Sequence, residues 1–219
     1  MKSKLQIALD TINLLDAVDL AAKIASALSC EDIWFEAGTP LIKSWGKIAV
    51  KALKEATNCF TVADAKIMDV GSIESELFFK AGADAVTVLG VADNETIREV
   101  LEKARECGKI VIVDLINYPK PYERALELAD MGVDVILYHV GVDVQKKRGI
   151  TATALLEEVE KLKRSLKCKI AIAGGIKHGD ASVFAKIGVD VIVVGSAIIR
   201  AENPVESARL FLQELERAT

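Results

Sequence analysis

Basic residues do not dominate this chain: 28 Lys and Arg stand against 32 Asp and Glu, for a formal charge of −4. Without a basic footprint, nucleic acid is not expected as a principal partner. Long apolar runs are missing as well. None approaches the ~20 residues that a membrane span needs, and Met1-Lys-Ser-Lys leads into an apolar strand with no signal-peptide pattern. Cysteine is sparse: Cys30, Cys59, Cys107 and Cys168 are widely scattered and show no metal-type pair spacing. They are expected to be buried free thiols in a reducing compartment, which points to a soluble cytoplasmic protein. Histidine occurs only twice, at His139 and His178. No linker, low-complexity segment or shift in composition divides the 219 residues.

Apolar residues are plentiful, at 51% of the chain, and their arrangement has a rhythm of short apolar run, turn and amphipathic helix. Strands are predicted at 5–9, 33–36, 60–66, 85–89, 109–114, 135–139, 169–173 and 191–194. Helices are predicted at 14–28, 45–57, 73–81, 94–107, 122–130, 152–165, 181–186 and 205–217. Three helices run into the echoing turns Ala81-Gly-Ala-Asp, Met131-Gly-Val-Asp and Ile187-Gly-Val-Asp, where each glycine suits the left-handed residue that ends a helix. Strict alternation of strand and helix implies a parallel sheet. Eight units imply one closed (β/α)8 TIM barrel over residues 1–219. The alternative, a doubly wound open sheet, usually carries a glycine fingerprint after its first strand, and here the chain reads Leu9-Asp-Thr-Ile-Asn13.

In a barrel of this kind the chemistry sits at the carboxyl ends of the strands. Those ends carry Asp10, Glu36, Asp64 with Lys66, Asp114 and His139, followed by Gly174-Gly175 and Gly195-Ser196. Strand alternation puts Asp64 and Lys66 on one face, and Asp69 follows in the next turn. The glycines after the last two strands would let backbone N–H groups approach a phosphate, with Arg200 as a counter-charge; the simpler alternative is tight turns. Glu36 and Asp64, on adjacent strands, could share one Mg²⁺ through hard oxygen ligands, or could form a structural network with Lys66. Asp10 could bind substrate or, like Asn13, cap the following helix. Asp114 is a turn former or a functional acid. His139 suits proton transfer, whereas His178 is expected to be an exposed loop residue. Trp34 and Trp45 are expected to pack, with Trp45 a subunit contact if there is one, and the run Gln145-Lys-Lys-Arg-Gly149 is expected to be a solvated loop, with folding over a ligand the alternative.

Leu5-Gln-Ile-Ala-Leu-Asp10, Glu36-Ala-Gly-Thr-Pro40, Ala63-Asp-Ala-Lys-Ile-Met-Asp-Val-Gly71 and Ile172-Ala-Gly-Gly-Ile-Lys177 resemble the orotidine-monophosphate-decarboxylase-like barrels. The resemblance spans nearly the whole chain. Within that family, His139-Val-Gly-Val-Asp143-Val-Gln145 is similar to the members that condense formaldehyde with ribulose 5-phosphate. The keto-gulonate-phosphate decarboxylases carry an arginine where this chain has Val142. By contrast, Gly195-Ser-Ala-Ile-Ile-Arg200 is nearer the decarboxylase pattern at Arg200.

The resemblance implies Mg²⁺ on Glu36 and Asp64. Lys66 would sit between the carboxylates to hold an enediolate, and Asp69 would complete the set, reaching into a neighbouring subunit's site. Asp10 and Asp114 would bind substrate hydroxyls or orient Lys66, and His139 would move the proton. Gly174, Gly175, Gly195, Ser196 and Arg200 would hold the phosphate. A homodimer acting on a sugar phosphate and formaldehyde is the expected assembly and substrate pair. The competing expectations are decarboxylation of a keto-gulonate phosphate, an epimerase, for which two histidines are a poor supply, and a non-catalytic sugar-phosphate-binding barrel.

Overall fold

The computed structural model describes residues 2–218. Eight parallel strands close into a barrel in chain order. They are β1 (Lys4–Leu9), β2 (Ile33–Ala37), β3 (Phe60–Ile67), β4 (Ala85–Leu89), β5 (Ile110–Asp114), β6 (Val135–His139), β7 (Lys169–Ala173) and β8 (Val191–Val194). Around them run α1 (Leu14–Ala27), α2 (Thr39–Trp45), α3 (Lys47–Thr57), α4 (Gly71–Lys80), α5 (Asn94–Cys107) and α6 (Pro121–Asp130). The second half adds α7 (Val142–Arg148), a 3₁₀ turn (Ala152–Leu155), α8 (Leu156–Ser165), α9 (Asp180–Lys186), α10 (Ser196–Ile199) and α11 (Pro204–Ala218).

Strand alternation divides the apolar residues into two cores. One set, including Ala8, Trp34, Val62, Ile112, Leu137 and Val193, fills the barrel. The other, including Ile7, Phe35, Val86, Val113, Tyr138 and Ile192, faces outward and meets the helices. Burial on both faces is why the strands read as near-continuous apolar runs. The helices seal the outer core along one stripe each. In α5 that stripe is Ile97, Val100, Leu101 and Ala104, a helical spacing. Asp93 caps its start by accepting from Glu95 N at 2.9 Å, and Gly108, at φ +64°, ends it.

Two expected outlines change. The helix expected over 45–57 is two helices broken at Gly46, whose φ of +57° halts the first and turns the chain into the second. The first of these begins at Thr39-Pro40, where proline suits the opening turn. The lysine-rich run is not a loop: it lies in α7, which ends at Gly149 with φ +68°.

The expectation of four buried free thiols is corrected. Cys30 and Cys59 form a disulfide with Cα atoms 5.0 Å apart; only Cys107, exposed, and Cys168, half-buried, are free. The pair was hidden by its separation of 29 residues. Since Trp34 pairs with Phe60 at the start of β2 and β3, the residues just ahead of those strands are brought together. Among the described residues no helix is long and apolar enough to cross a membrane.

Candidate active site

Two residues beyond the apolar layer of the barrel, on the same inward face, each strand presents its next side chain at the mouth. After Trp34 comes Glu36, after Val62 Asp64, after Ala85 Thr87, after Ile112 Asp114 and after Leu137 His139. All five lie in strands, so their backbones are held by the parallel ladder. A polar ring sits directly on an apolar floor.

Lys66 is the cation of this ring. Its Nζ lies 2.8 Å from both oxygens of Asp64 and 3.1 Å from Asp114 Oδ2. Burial opposes its charge, but Asp64, Asp114 and Glu36 outweigh burial and raise its pKa above the usual lysine value. Asp114, 1% exposed, also accepts from Ile116 N at 2.9 Å and faces His139 Nδ1 at 3.0 and 3.2 Å. It is therefore turn former and site acid at once. Burial works against its charge, yet His139, Lys66 and the Ile116 amide hold its carboxyl below the usual range. With Nδ1 committed to Asp114, the other ring nitrogen of His139, Nε2, has no hydrogen-bond partner among the described residues.

Glu36 and Asp10 are the uneasy members. Glu36 is 7% exposed and accepts from Gln6 Nε2 at 2.5 Å. Burial first, then the charges of Asp64 and Asp10, push its carboxyl well above its ordinary value. Asp10 follows β1 and opens to solvent. The protein crowding its flanks and the charge of Asp64 raise it too, against Lys66, His139 and Arg200. Asp10 does not cap α1; Asn13 does, accepting from Leu15 N at 3.1 Å. Gly38 makes room for Asp10, since a Cβ there would strike Asp10 Oδ1, and a Cβ at Gly195 would come within 3.3 Å of Asp10 Oδ2.

The glycine loops flank the mouth. Gly174 and Gly175 have φ of +121° and +69°, and a Cβ on either would meet Val140 O at 2.6 Å or Gln145 Oε1 at 2.8 Å. Ser196 and Arg200 are exposed. Arg200 shares with Asp10 and Asp16 a recess of about 270 Å³ between α1 and α10. Asp69 stands apart: it is exposed, its Oδ1 accepts from Val70 N at 2.8 Å, and among the described residues it shares no hydrogen bond or ion pair with the ring. His178 is exposed as expected but docked, at 3.0 Å from Glu214 and 3.1 Å from Ser207 Oγ, with its ring stacked on Phe211. Trp34 packs against Phe60 inside the barrel, while Trp45 is 45% exposed.

Sequence reasoning missed Gln6, Gly38, Thr39 and Thr87. Thr39 donates to Asp64 Oδ2 from both N, at 3.2 Å, and Oγ1, at 2.5 Å. Thr87 donates to Asp64 Oδ1 at 2.9 Å. The available signal was parity: Gln6 shares its face with Ala8, and Thr87 with Ala85.

The ring fits a hard divalent ion held by few protein ligands. Among the described residues no group of three or more His, Cys, Asp or Glu is arranged as a metal cage, but Mg²⁺ is commonly held by one or two carboxylates, with water and substrate oxygens completing its shell. Glu36 is a buried carboxylate with one donor named above, and a dication is what would let it ionise beside Asp64. Asp64 accepts from Thr39, Lys66 and Thr87, so ligation through it would take the place of one of these donors.

The sequence model of the Orotidine 5'-phosphate decarboxylase / HUMPS family matches residues 3–211. The 3-hexulose-6-phosphate synthase of Mycobacterium gastri is 38% identical over 207 residues, 94% of this chain and 96% of that protein. The crystal structure of 3-hexulose-6-phosphate synthase from Salmonella typhimurium superposes over the whole of both chains with a TM-score of 0.90 and 40% identity. A 3-keto-L-gulonate-6-phosphate decarboxylase from Vibrio cholerae also covers both chains fully, with a TM-score of 0.85 and 30% identity. The barrel is common to both activities; the higher sequence identities lie with the synthases.

Proposed function

The chain belongs to the Orotidine 5'-phosphate decarboxylase / HUMPS family, and from that membership we propose that it is an aldolase joining formaldehyde to D-ribulose 5-phosphate to give D-arabino-3-hexulose 6-phosphate. The observation that carries the chemistry is the linked row His139–Asp114–Lys66–Asp64, with contacts of 2.8 to 3.2 Å. It sets a base with one open nitrogen beside a fixed cation.

The difficult step is removal of a proton from carbon one of the sugar phosphate, next to its ketone. Asp114 keeps the imidazole proton on Nδ1, leaving the Nε2 lone pair to take the carbon-bound proton. As the C1–H bond breaks, its electrons pass into an enediolate. Lys66, held by two buried carboxylates, places a positive charge beside that anion without reorganising, in a site where water screens little. Mg²⁺ on Glu36 and Asp64 would supply Lewis acidity toward the sugar oxygens. The enediolate carbon then bonds to the carbon of formaldehyde, and the proton taken by His139 balances the new alkoxide. Asp10 meets the sugar hydroxyls. The backbone N–H groups of Gly174, Gly175, Gly195 and Ser196, with Arg200, grip the phosphate and orient the substrate.

Formaldehyde consumption in the presence of ribulose 5-phosphate, with Mg²⁺ and with chelator, tests this reading; loss that depends on metal is expected. His139→Asn is expected to abolish solvent exchange of the C1 proton while phosphate binding persists. Should formaldehyde stay unconsumed and carbon dioxide be released from keto-gulonate phosphate, the decarboxylase reading replaces it.

The partner is a second copy of the chain. Exposed apolar side chains cluster on the first three units of the barrel, among them Ile12 at 71%, Leu15 at 78%, Ile48 at 57%, Val70 at 52% and Ile73 at 71%. Asp69 lies among them. In the homodimer that the family resemblance implies, Asp69 would reach the other copy's site; sedimentation at twice the chain mass checks the assembly. Because sugar phosphates are metabolites of the cell interior, the cytoplasm is its working place.

A further inference from the structure

We propose that Thr87 is a positioning residue, which fixes the backbone and carboxylate of the Asp64–Lys66 pair through a single hydroxyl. The inference deepens the aldolase reading above and rests on it for its kinetic readout, though not for its structural one.

The ladder between β3 and β4 is irregular at one point. Ala63 pairs with Val86 and the pairing resumes only at Ile67 with Val88. Three residues of β3, Asp64 to Lys66, therefore stand against one residue of β4, which is Thr87. Such a bulge re-aims side chains and leaves backbone groups without their ladder partners. Lys66 takes the turn at φ +47°, a left-handed conformation that L side chains rarely adopt and that neither glycine nor asparagine is present to relieve.

Thr87 answers both consequences. It is 1% exposed, and its Oγ1 accepts from the displaced Lys66 N–H at 2.8 Å. A hydroxyl has one proton to give, and this one goes to Asp64 Oδ1 at 2.9 Å. Both bonds of the one side chain facing the bulge thus end on the acid and the lysine that flank Ala65. A threonine chosen only for strand propensity would have no need of either. With the amide pinned, Lys66 folds back so that its Nζ spans Asp64 at 2.8 Å and Asp114 at 3.1 Å. With the Oδ1 donor in place, Asp64 keeps one orientation against it. Losing the hydroxyl frees the bulge to relax and the ammonium to wander, in a site where small displacements of a charge are costly to the reaction.

The test is a set of three variants. Thr87→Ser keeps the hydroxyl and loses the methyl. Thr87→Ala loses both, so that Ser and Ala differ by the hydroxyl alone, and Thr87→Val keeps the shape and loses the hydroxyl. We expect kcat for formaldehyde consumption to stay within about threefold of wild type in Thr87→Ser and to fall by about 30-fold or more in Thr87→Ala and Thr87→Val, with KM for the sugar phosphate within about threefold throughout. Should Thr87→Val fail to fold, the Ser–Ala pair alone decides. Wild-type kcat in Thr87→Ala, or equal losses in Ser and Ala, overturns the proposal. Amide hydrogen exchange at Lys66 is the second readout: protection in wild type and Thr87→Ser, and loss of it in Thr87→Ala. If the wild type consumes no formaldehyde, the aldolase reading fails by itself. The positioning role then stands or falls on that exchange difference, and equal protection in Ser and Ala overturns it.

Discussion

Both ends of this barrel are rich in carboxylates, and the two sets are used in opposite ways. At the amino end, Asp84, Asp134 and Asp190 follow the three echoing glycine turns. Each accepts the backbone N–H at the start of the preceding strand: Thr61 N at 2.9 Å, Val111 N at 2.8 Å and Ile170 N at 2.8 Å. Lysines lie beside two of them, Lys54 and Lys109 at 2.7 and 2.9 Å from Asp84 and Lys163 at 2.6 Å from Asp190. Three lysines stand with these three acids, two beside Asp84 and one beside Asp190, and the three strand pairs are fastened alike through the carboxylate–amide bonds. At the carboxyl end, Asp10, Glu36, Asp64 and Asp114 crowd around the single lysine Lys66. Acids outnumber the cation, and two of the acids are pushed upward in pKa. A balanced set holds strands together; an unbalanced one is held by the strands and is ready to meet a cation, a proton or a substrate.

If that division is right, removing a lysine should do different things at each end. Lys66→Met is expected to lower kcat for formaldehyde consumption by about 10³-fold, about 4 kcal/mol of barrel-mouth electrostatics. Lys54→Met, which removes a partner of Asp84, should leave kcat within about twofold and cost about 1 kcal/mol of stability. Parallel steady-state assays and denaturant titrations read both. Equal activity losses in the two variants would show that the amino end is not merely a fastening.

The disulfide separates the ends more gently. Cys30 and Cys59, ahead of β2 and β3, close a loop of 29 residues. A cross-link of that span contributes about 3.6 kcal/mol in the chain-entropy picture, which corresponds to roughly 7–14 °C in Tm for a chain of this size. Reduction with dithiothreitol should lower Tm by that amount, and Cys30→Ser should match it, with activity at moderate temperature unchanged. A fall in kcat that tracks reduction would mean that strain at the bottom of β2 and β3 reaches Glu36 and Asp64 at their tops.

Much of this contrast was readable from the chain, and the failures have physical causes. Strand limits agree with the sequence reading to within one residue because apolar runs buried on both faces have sharp polar ends. Asp64 and Lys66 were expected to converge by simple alternation. They do converge, but through a bulge that no local pattern announces, since it is defined by pairing with a strand about twenty residues away. The hydroxyl of Thr87 was invisible for a related reason: threonine is an ordinary strand residue, and its role lies in two contacts across the ladder. Asp69 was expected in the turn after β3 and lies there, exposed ahead of α4; its expected reach into a second copy's site depends on an assembly and not on this chain alone. The Asp residues of the glycine turns were noticed as an echo of helix ends, while their hold on the preceding strand depended on strand order around the barrel. α7 was hidden by its composition: none of its residues is buried, so it has no apolar stripe to reveal it.

The smallest expected effects have the most informative sign. Asp84 is held below the usual carboxylate range: burial alone would raise it, but Lys54, Lys109 and the Thr61 amide outweigh burial. A depressed acid contributes stability that is present above its unfolded pKa, about 3.9, and is lost as pH falls through the folded value. Asp84→Asn should therefore trail wild type in Tm by a few degrees at pH 7, with the gap narrowing below about pH 4. Glu36 is shifted the other way, well upward. Between its unfolded pKa of about 4.3 and its folded value, the native state binds the proton more tightly, so stability falls as pH rises. Metal-free Glu36→Gln should then be more stable than wild type at pH 7 by a few degrees, and the advantage should vanish near pH 4. Adding Mg²⁺ should reverse that order at neutral pH, since only the wild type keeps both carboxylates to bind it. Two acids in one barrel would thus give Tm–pH differences of opposite slope. Finding the same slope for both would remove the electrostatic distinction between fastening and site.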